Sequence, residues 1–193
     1  MPGTAAWPAA TLITTTSSAR TVARGARGRA VPVFNELRLH KWTGGRPCTL
    51  KELEAKYLRQ SAGSSPDGEQ GWLNWGLRRL SDERVVGTVQ TTLSPLGTPG
   101  FSAELAWVVG SDHQGNGYAR EAATAMVKWL RTHDVVEVTA HVHPQHEASN
   151  TMARALGMTT TNVVADGEVL RRGSGSWFEA ACDGEDERAA TNF

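Results

Sequence analysis

The stretch Gln114-Gly115-Asn116-Gly117-Tyr118-Ala119 sets two glycines two residues apart, where a beta-rich segment gives way to a helical stripe. Glycines at such a turn let the backbone aim several N–H groups at one point, and the start of the following helix adds a partial positive charge. That combination holds phosphate. A tight strand-to-helix turn also needs glycine for purely steric reasons, and the spacing alone does not separate the two. Context excludes two common phosphate sites: a dinucleotide fingerprint would open a parallel strand-helix-strand unit, and a P-loop would carry Gly-Lys-Ser/Thr. A second candidate is the run His141-Val142-His143-Pro144-Gln145-His146. Clustered imidazoles suit zinc, and a histidine is also a base whose pKa lies near neutrality. Here His141 and His143 share a strand face, Pro144 breaks the strand, and no carboxylate or thiolate stands at ligand spacing, so no metal is expected.

The elements that must position these residues follow from periodicity. Ala119, Ala122, Ala123, Met126, Val127 and Leu130 form one helical stripe directly after the glycine turn. Ahead of it, Trp72 to Leu80, Val85 to Leu93 and Ser102 to Val109, separated by turn-rich segments, predict a three-strand antiparallel meander. Behind it, Val135 to Val142 reads as a beta-branched strand, and a helix from about Glu147 to Leu156 closes on Gly157. Met158 to Val164 and Val169 to Arg172 flank Asp166-Gly167 as a final hairpin. Upstream, Thr49-Leu50-Lys51-Glu52 is a capping box that opens a helix of about three turns, with Leu50, Leu53, Tyr57 and Leu58 on one face. This order predicts an α+β fold of three layers, a mixed, mostly antiparallel sheet with helices on both faces. Trp72, Trp75 and Trp107 are read as core packing in preference to an aromatic substrate box.

At 193 residues the chain fits one domain able to bury its own core. Residues 1–35 hold no aspartate or glutamate and show neither period. They read as an N-terminal arm with room for an irregular first strand, although an acidic-poor, Arg- and Ser-rich leader also has the composition of a transit peptide. The domain proper is placed at 36–172. An acidic tail at 173–193 follows, with Asp183, Glu185, Asp186 and Glu187 among Gly and Ser. Lysine plus arginine number 20, as do aspartate plus glutamate, so neither nucleic acid nor a membrane is an expected partner. Cys48 and Cys182 stand far apart, outside any CxxC pattern, as free thiols in a reducing compartment do. No apolar run approaches the ~18 residues of a membrane span. The expected location is cytoplasmic.

Gln114, Gly117 and Ala119 match the Gln/Arg-x-x-Gly-x-Gly/Ala signature of the GNAT superfamily of acyl-CoA N-acyltransferases, at the expected place after the fourth strand of that fold. The chain resembles in particular its RimJ/RimL-like branch, through Ala103-Glu104-Leu105-Ala106-Trp107, Pro144-Gln145-His146-Glu147-Ala148-Ser149 and Leu156-Gly157-Met158. The resemblance, which spans about Leu37 to Leu170, implies a sheet whose fourth and fifth strands splay apart and an acetyl transfer from acetyl-CoA to a primary amine, on a protein N-terminus or a small molecule such as an antibiotic. It implies CoA contacts from Trp107, Val108, Val109, Gln114, Gly115, Asn116, Gly117, Tyr118, Ala119, His146 and Ser149. His146 stands where relatives usually carry asparagine, and Ala153 stands where many carry the tyrosine acid. Glu104 matches the position of a glutamate base, with His141 ranked second, and Ser149 matches a proposed acid or CoA-sulfur partner. Leu39 to Gly45 falls where acceptor loops lie. The alternative implied is a CoA-binding regulatory module that has lost turnover. An unformed first strand would bare a sheet edge and predict a homodimer.

Overall fold

The computed structural model describes residues 11–13, 17–21, 49–60, 62–97 and 99–174. Eight strands form one sheet, β1 (Thr11–Ile13), β2 (Ser17–Thr21), β3 (Gly71–Arg79), β4 (Val85–Pro95), β5 (Phe101–Val109), β6 (Val135–Val142), β7 (Thr159–Ala165) and β8 (Glu168–Ser174), in the order β1-β2-β3-β4-β5-β6-β8-β7. All neighbours run antiparallel except β5 and β6. Among the described residues three helices, α1 (Leu50–Gln60), α2 (Tyr118–Arg131) and α3 (Glu147–Ala155), accompany the sheet. Among the described residues no helix is long and apolar enough to cross a membrane.

Each helix begins for a local reason. At α1 the Glu52 carboxylate accepts the Thr49 backbone N–H at 2.8 Å, and the Glu52 N–H donates to the Thr49 hydroxyl at 3.3 Å, the reciprocal bonds of a capping box. At α3 the ring of His146 accepts the Ser149 N–H at 3.3 Å. Gly117 caps α2 without any side-chain hydrogen bond.

Period-2 alternation decides the two faces of the sheet. Leu73, Trp75, Leu77, Val89, Leu93, Ala103 and Leu105 turn to one side and bury against Ala122, Ala123, Met126, Val127 and Leu130 of α2. Met126 and Leu130 are fully enclosed, each worth roughly 1.5–3 kcal/mol of burial. The other side carries Trp72, Asn74, Gln90, Thr92, Glu104 and Ala106, which line a cleft with Lys56 and Arg59 of α1. The result is the expected three-layer arrangement.

The unpatterned N-terminal arm contains β1 and β2, and β2 pairs with β3 from Ser17↔Arg79 to Thr21↔Trp75. Strand formation there draws on the edge of β3, a tertiary cue that local periodicity does not carry. The sheet edge on that side is therefore β1 and not β3. Leu58, assigned to the apolar stripe of α1, is 52% exposed. Leu39 to Gly45 lies outside the described residues.

Candidate functional site

β5 and β6 are paired only at one end. Their parallel register runs from Phe101↔Val135 to Glu104↔Thr139, after which β5 continues to Val109 and β6 to Val142 without further pairing. Each strand stays hydrogen-bonded on its outer side, β5 to β4 through Val109 and β6 to β8 through Val142. The inner edges of Leu105 to Val109 and Ala140 to Val142 therefore face a gap, the splay that the resemblance implies.

The glycine turn sits where this gap opens. After Val109 the chain passes through one 3-10 turn, Ser111–His113. It then crosses Gly115 at φ 78° and Gly117 at φ 78°, both left-handed. A Cβ on either glycine would meet nothing within 4 Å, so the demand for glycine is dihedral, not a matter of space. The first backbone bond of α2 runs from the Glu121 N–H to the Gly117 carbonyl at 3.0 Å, which leaves the N–H groups of Tyr118, Ala119 and Arg120 without acceptors inside the helix. Open space above the turn, free helical N–H groups and the absence of a capping side chain fit a diphosphate. Two side chains brace the turn. Gln114 Nε2 donates to the Val109 carbonyl at 3.0 Å, and Asn116 Nδ2 donates to the carbonyls of His113 and Gln114, both at 3.1 Å. Arg79 Nε donates to Asp82 Oδ1 at 2.9 Å within the β3–β4 turn.

Glu104 and His141, read from the sequence as rival bases, are brought together at the last paired step of the splay. His141 Nδ1 lies 3.0 Å from Glu104 Oε1. With Glu104 ionised, the imidazole carries its proton on Nδ1 and donates it to the carboxylate. Glu104 lines the α1 cleft, which encloses about 250 Å³, together with Trp72, Asn74, Gln90, Lys56 and Arg59.

Ser149 lies on the opposite face. Trp107, in register with the buried Val89, packs against the core, and its indole N–H donates to the Ser149 hydroxyl at 3.3 Å. This bond spans from β5 to α3. Of the three tryptophans, Trp75 is core, edge-on to Trp129 at 5.8 Å between ring centroids. Trp72 lines the cleft and Trp107 holds Ser149.

The three histidines take separate partners. His141 meets Glu104, the His143 ring accepts the Gln145 N–H at 3.2 Å, and the His146 ring accepts the Ser149 N–H. Burial, followed by the neighbouring His143, pushes the His146 imidazole below its ordinary value, which suits a neutral ring acting as acceptor. Among the described residues no group of three His, Cys, Asp or Glu side chains could hold a metal ion.

Sequence reasoning missed Asn150 and the two cations of the cleft. Asn150 is buried, and its Nδ2 donates to the carbonyls of His143, Pro144 and His146 at 3.2, 2.9 and 3.0 Å. Its Oδ1 accepts from Arg171 at 2.6 Å. It thereby fixes the loop that delivers His146 and Ser149. Asparagine inside a helical stripe was the available signal, since its amide competes for backbone groups.

A family model described as acetyltransferase (GNAT) domain matches residues 27–159. No curated protein sequence matches the chain. Among solved structures, the acetyltransferase (GNAT family) from Bacillus anthracis is 14% identical, with a TM-score of 0.68 over 86% of this chain and 98% of that one. The ribosomal-protein-S5-alanine acetyltransferase from Vibrio fischeri is 15% identical, with a TM-score of 0.68 over 86% and 96%. The acetyltransferase from Agrobacterium tumefaciens is 22% identical, with a TM-score of 0.66 over 88% and 96%. At these identities the likeness is one of fold, and the family match covers more than half of the chain. The chain belongs to the GNAT acetyltransferase family.

Proposed function

We propose that this chain is a cytoplasmic N-acetyltransferase that passes the acetyl group of acetyl-CoA to a primary amine by direct attack on the thioester. The observation that carries the reading is the one-ended pairing of β5 and β6, with the glycine turn at its open end and the Glu104–His141 pair at its closed end. In this reading the N–H groups of Gly115, Asn116, Gly117, Tyr118 and Ala119 hold the CoA diphosphate. The backbone of Trp107, Val108 and Val109, which β6 leaves unpaired on the gap side, takes the pantetheine arm, and His146 and Ser149 stand beside it. An alkylammonium has a pKa of about 10.4, so the acceptor needs a base. Glu104 takes that proton because it lines the cleft, and His141, bonded to its other side, orients the carboxylate. A positioned base of this kind contributes roughly 10²–10⁴-fold. A β5 N–H near Val108, on the edge turned to the gap, serves the oxyanion. Ser149 accepts from Trp107 and so keeps its own O–H proton available for the departing thiolate. A protein amino terminus, as acted on by the RimJ/RimL-like branch, and a small amine are both acceptors of this chemistry. The Vibrio fischeri neighbour, by its name an acetyltransferase of a ribosomal protein, supports the first.

Thiol release from acetyl-CoA across an amine panel tests the reading. Glu104→Gln should lower kcat about 100-fold while acetyl-CoA binding, measured by calorimetry, persists. Binding without release on every acceptor would replace the enzyme with a CoA-binding regulatory module. No binding of any CoA species would end both readings.

A further inference from the structure

Resting on the transferase reading, we infer that the acceptor carries a carboxylate beside its primary amine. The cleft in front of Glu104 holds about 250 Å³ and stands half open, so it takes the amino end of an acceptor. Its walls carry opposite charges. Glu104 projects from β5 on one side, and Lys56 and Arg59, one turn apart on α1, stand on the other. Both cations are exposed and make no ion pair among the described residues.

An amine arrives as an ammonium ion. Glu104 attracts it, and Lys56 and Arg59 repel it, so an acceptor whose only charge is its amine is drawn by one wall and opposed by the other. A carboxylate beside the amine reverses the second interaction, because a guanidinium offers paired donors that match a carboxylate. An acceptor with several amines adds like charge against Lys56 and Arg59. The polycationic antibiotic is thereby disfavoured among the acceptors considered above. The carboxylate has two sources, a free amino acid or an acidic residue close to the amino terminus of a peptide.

The test uses the full chain with acetyl-CoA and matched acceptors. One arm compares glutamate with its fully amidated counterpart, and the other compares seryl-aspartyl-glycine amide with seryl-asparaginyl-glycine amide. The carboxylated member of at least one pair should show kcat/KM about three- to fivefold higher, the size of an exposed ion pair, and the responding arm identifies the source. The ratio should shrink with ionic strength. It should fall close to one in Lys56→Gln/Arg59→Gln and survive Arg84→Gln, a charge removal in the β3–β4 turn. A ratio near one in both arms, or one that persists in the double variant, overturns the inference and leaves the transferase intact. Absence of release from every acceptor instead overturns the transferase and this inference with it.

Discussion

Gly87 tests the link between packing and chemistry, because it lies on β4 outside the site yet sets the position of a strand inside it. It pairs with Val109, and a Cβ built on it would stand 2.3 Å from the Val108 carbonyl oxygen and 3.1 Å from both Cα and Cγ2 of Val109. A carbon and an oxygen settle at about 3.2 Å or more, so Gly87→Ala must push β5 away by roughly 1 Å at the open end of the gap to β6. Overpacking of this kind costs about 1–3 kcal/mol, which for a chain of this size lowers Tm by about 2–12 °C. Displacing by ~1 Å a strand that aims the thioester can also cost up to about 100-fold in rate. Differential scanning calorimetry and steady-state thiol release on the same preparation read the two effects together. The variant should melt as a single transition, bind acetyl-CoA more weakly and lose kcat. Unchanged Tm together with full kcat would refute the reasoning, because the strand end would then tolerate displacement without consequence for the reaction.

Thr91 is buried on the core face, and its hydroxyl makes no hydrogen bond among the described residues. Thr91→Val should raise stability by about 1 kcal/mol, read as a higher urea midpoint at constant slope. At Gly117 the open space removes any clash and leaves only the left-handed dihedral, so Gly117→Ala should lose about 1 kcal/mol and weaken acetyl-CoA binding, whereas Gly117→Asn should lose less of both in calorimetry. The depressed pKa of His146 has a definite sign. Above about 6.5 its ring is neutral in folded and unfolded chains alike. As pH falls below that value the unfolded chain binds the proton first, and stability drops until pH passes the lower folded value. Urea midpoints from pH 8 to 5 should show this fall in the wild type and a shallower one in His146→Ala, which instead loses about 1 kcal/mol of capping at neutral pH.

Local signals were legible and contacts between distant segments were not. The capping box at Thr49 and Glu52 needs only two residues three apart, and it formed as read. β6 has the predicted bounds, because a beta-branched run between a helix end and a proline admits one reading. Of β1 and β2 no more than room for one irregular strand was legible, because the partner that makes them strands, β3, begins some 50 residues later. The same holds in the site. Gln114 to Ala119 announced its turn, since positive φ leaves a glycine signature. The Glu104–His141 contact joins residues 37 apart, and Trp107–Ser149 joins residues 42 apart. Each rests on strand register, which composition and periodicity leave unspecified.

The register also separates two chemistries that would interfere if they touched. A carboxylate that takes a proton and a hydroxyl that gives one would, in direct contact, hydrogen-bond to each other and face neither substrate. Glu104 turns toward the α1 cleft with His141 behind it, while Trp107, on the other set of alternating positions in the same strand, turns toward α3 and holds Ser149 there. Between them lies only the gap where pairing of β5 and β6 has ceased. On the proposed reading, a thioester threaded through that gap would meet a base on one face and a proton donor on the other. Closing it with further β5–β6 hydrogen bonds would leave both groups in place with nothing between them to act upon.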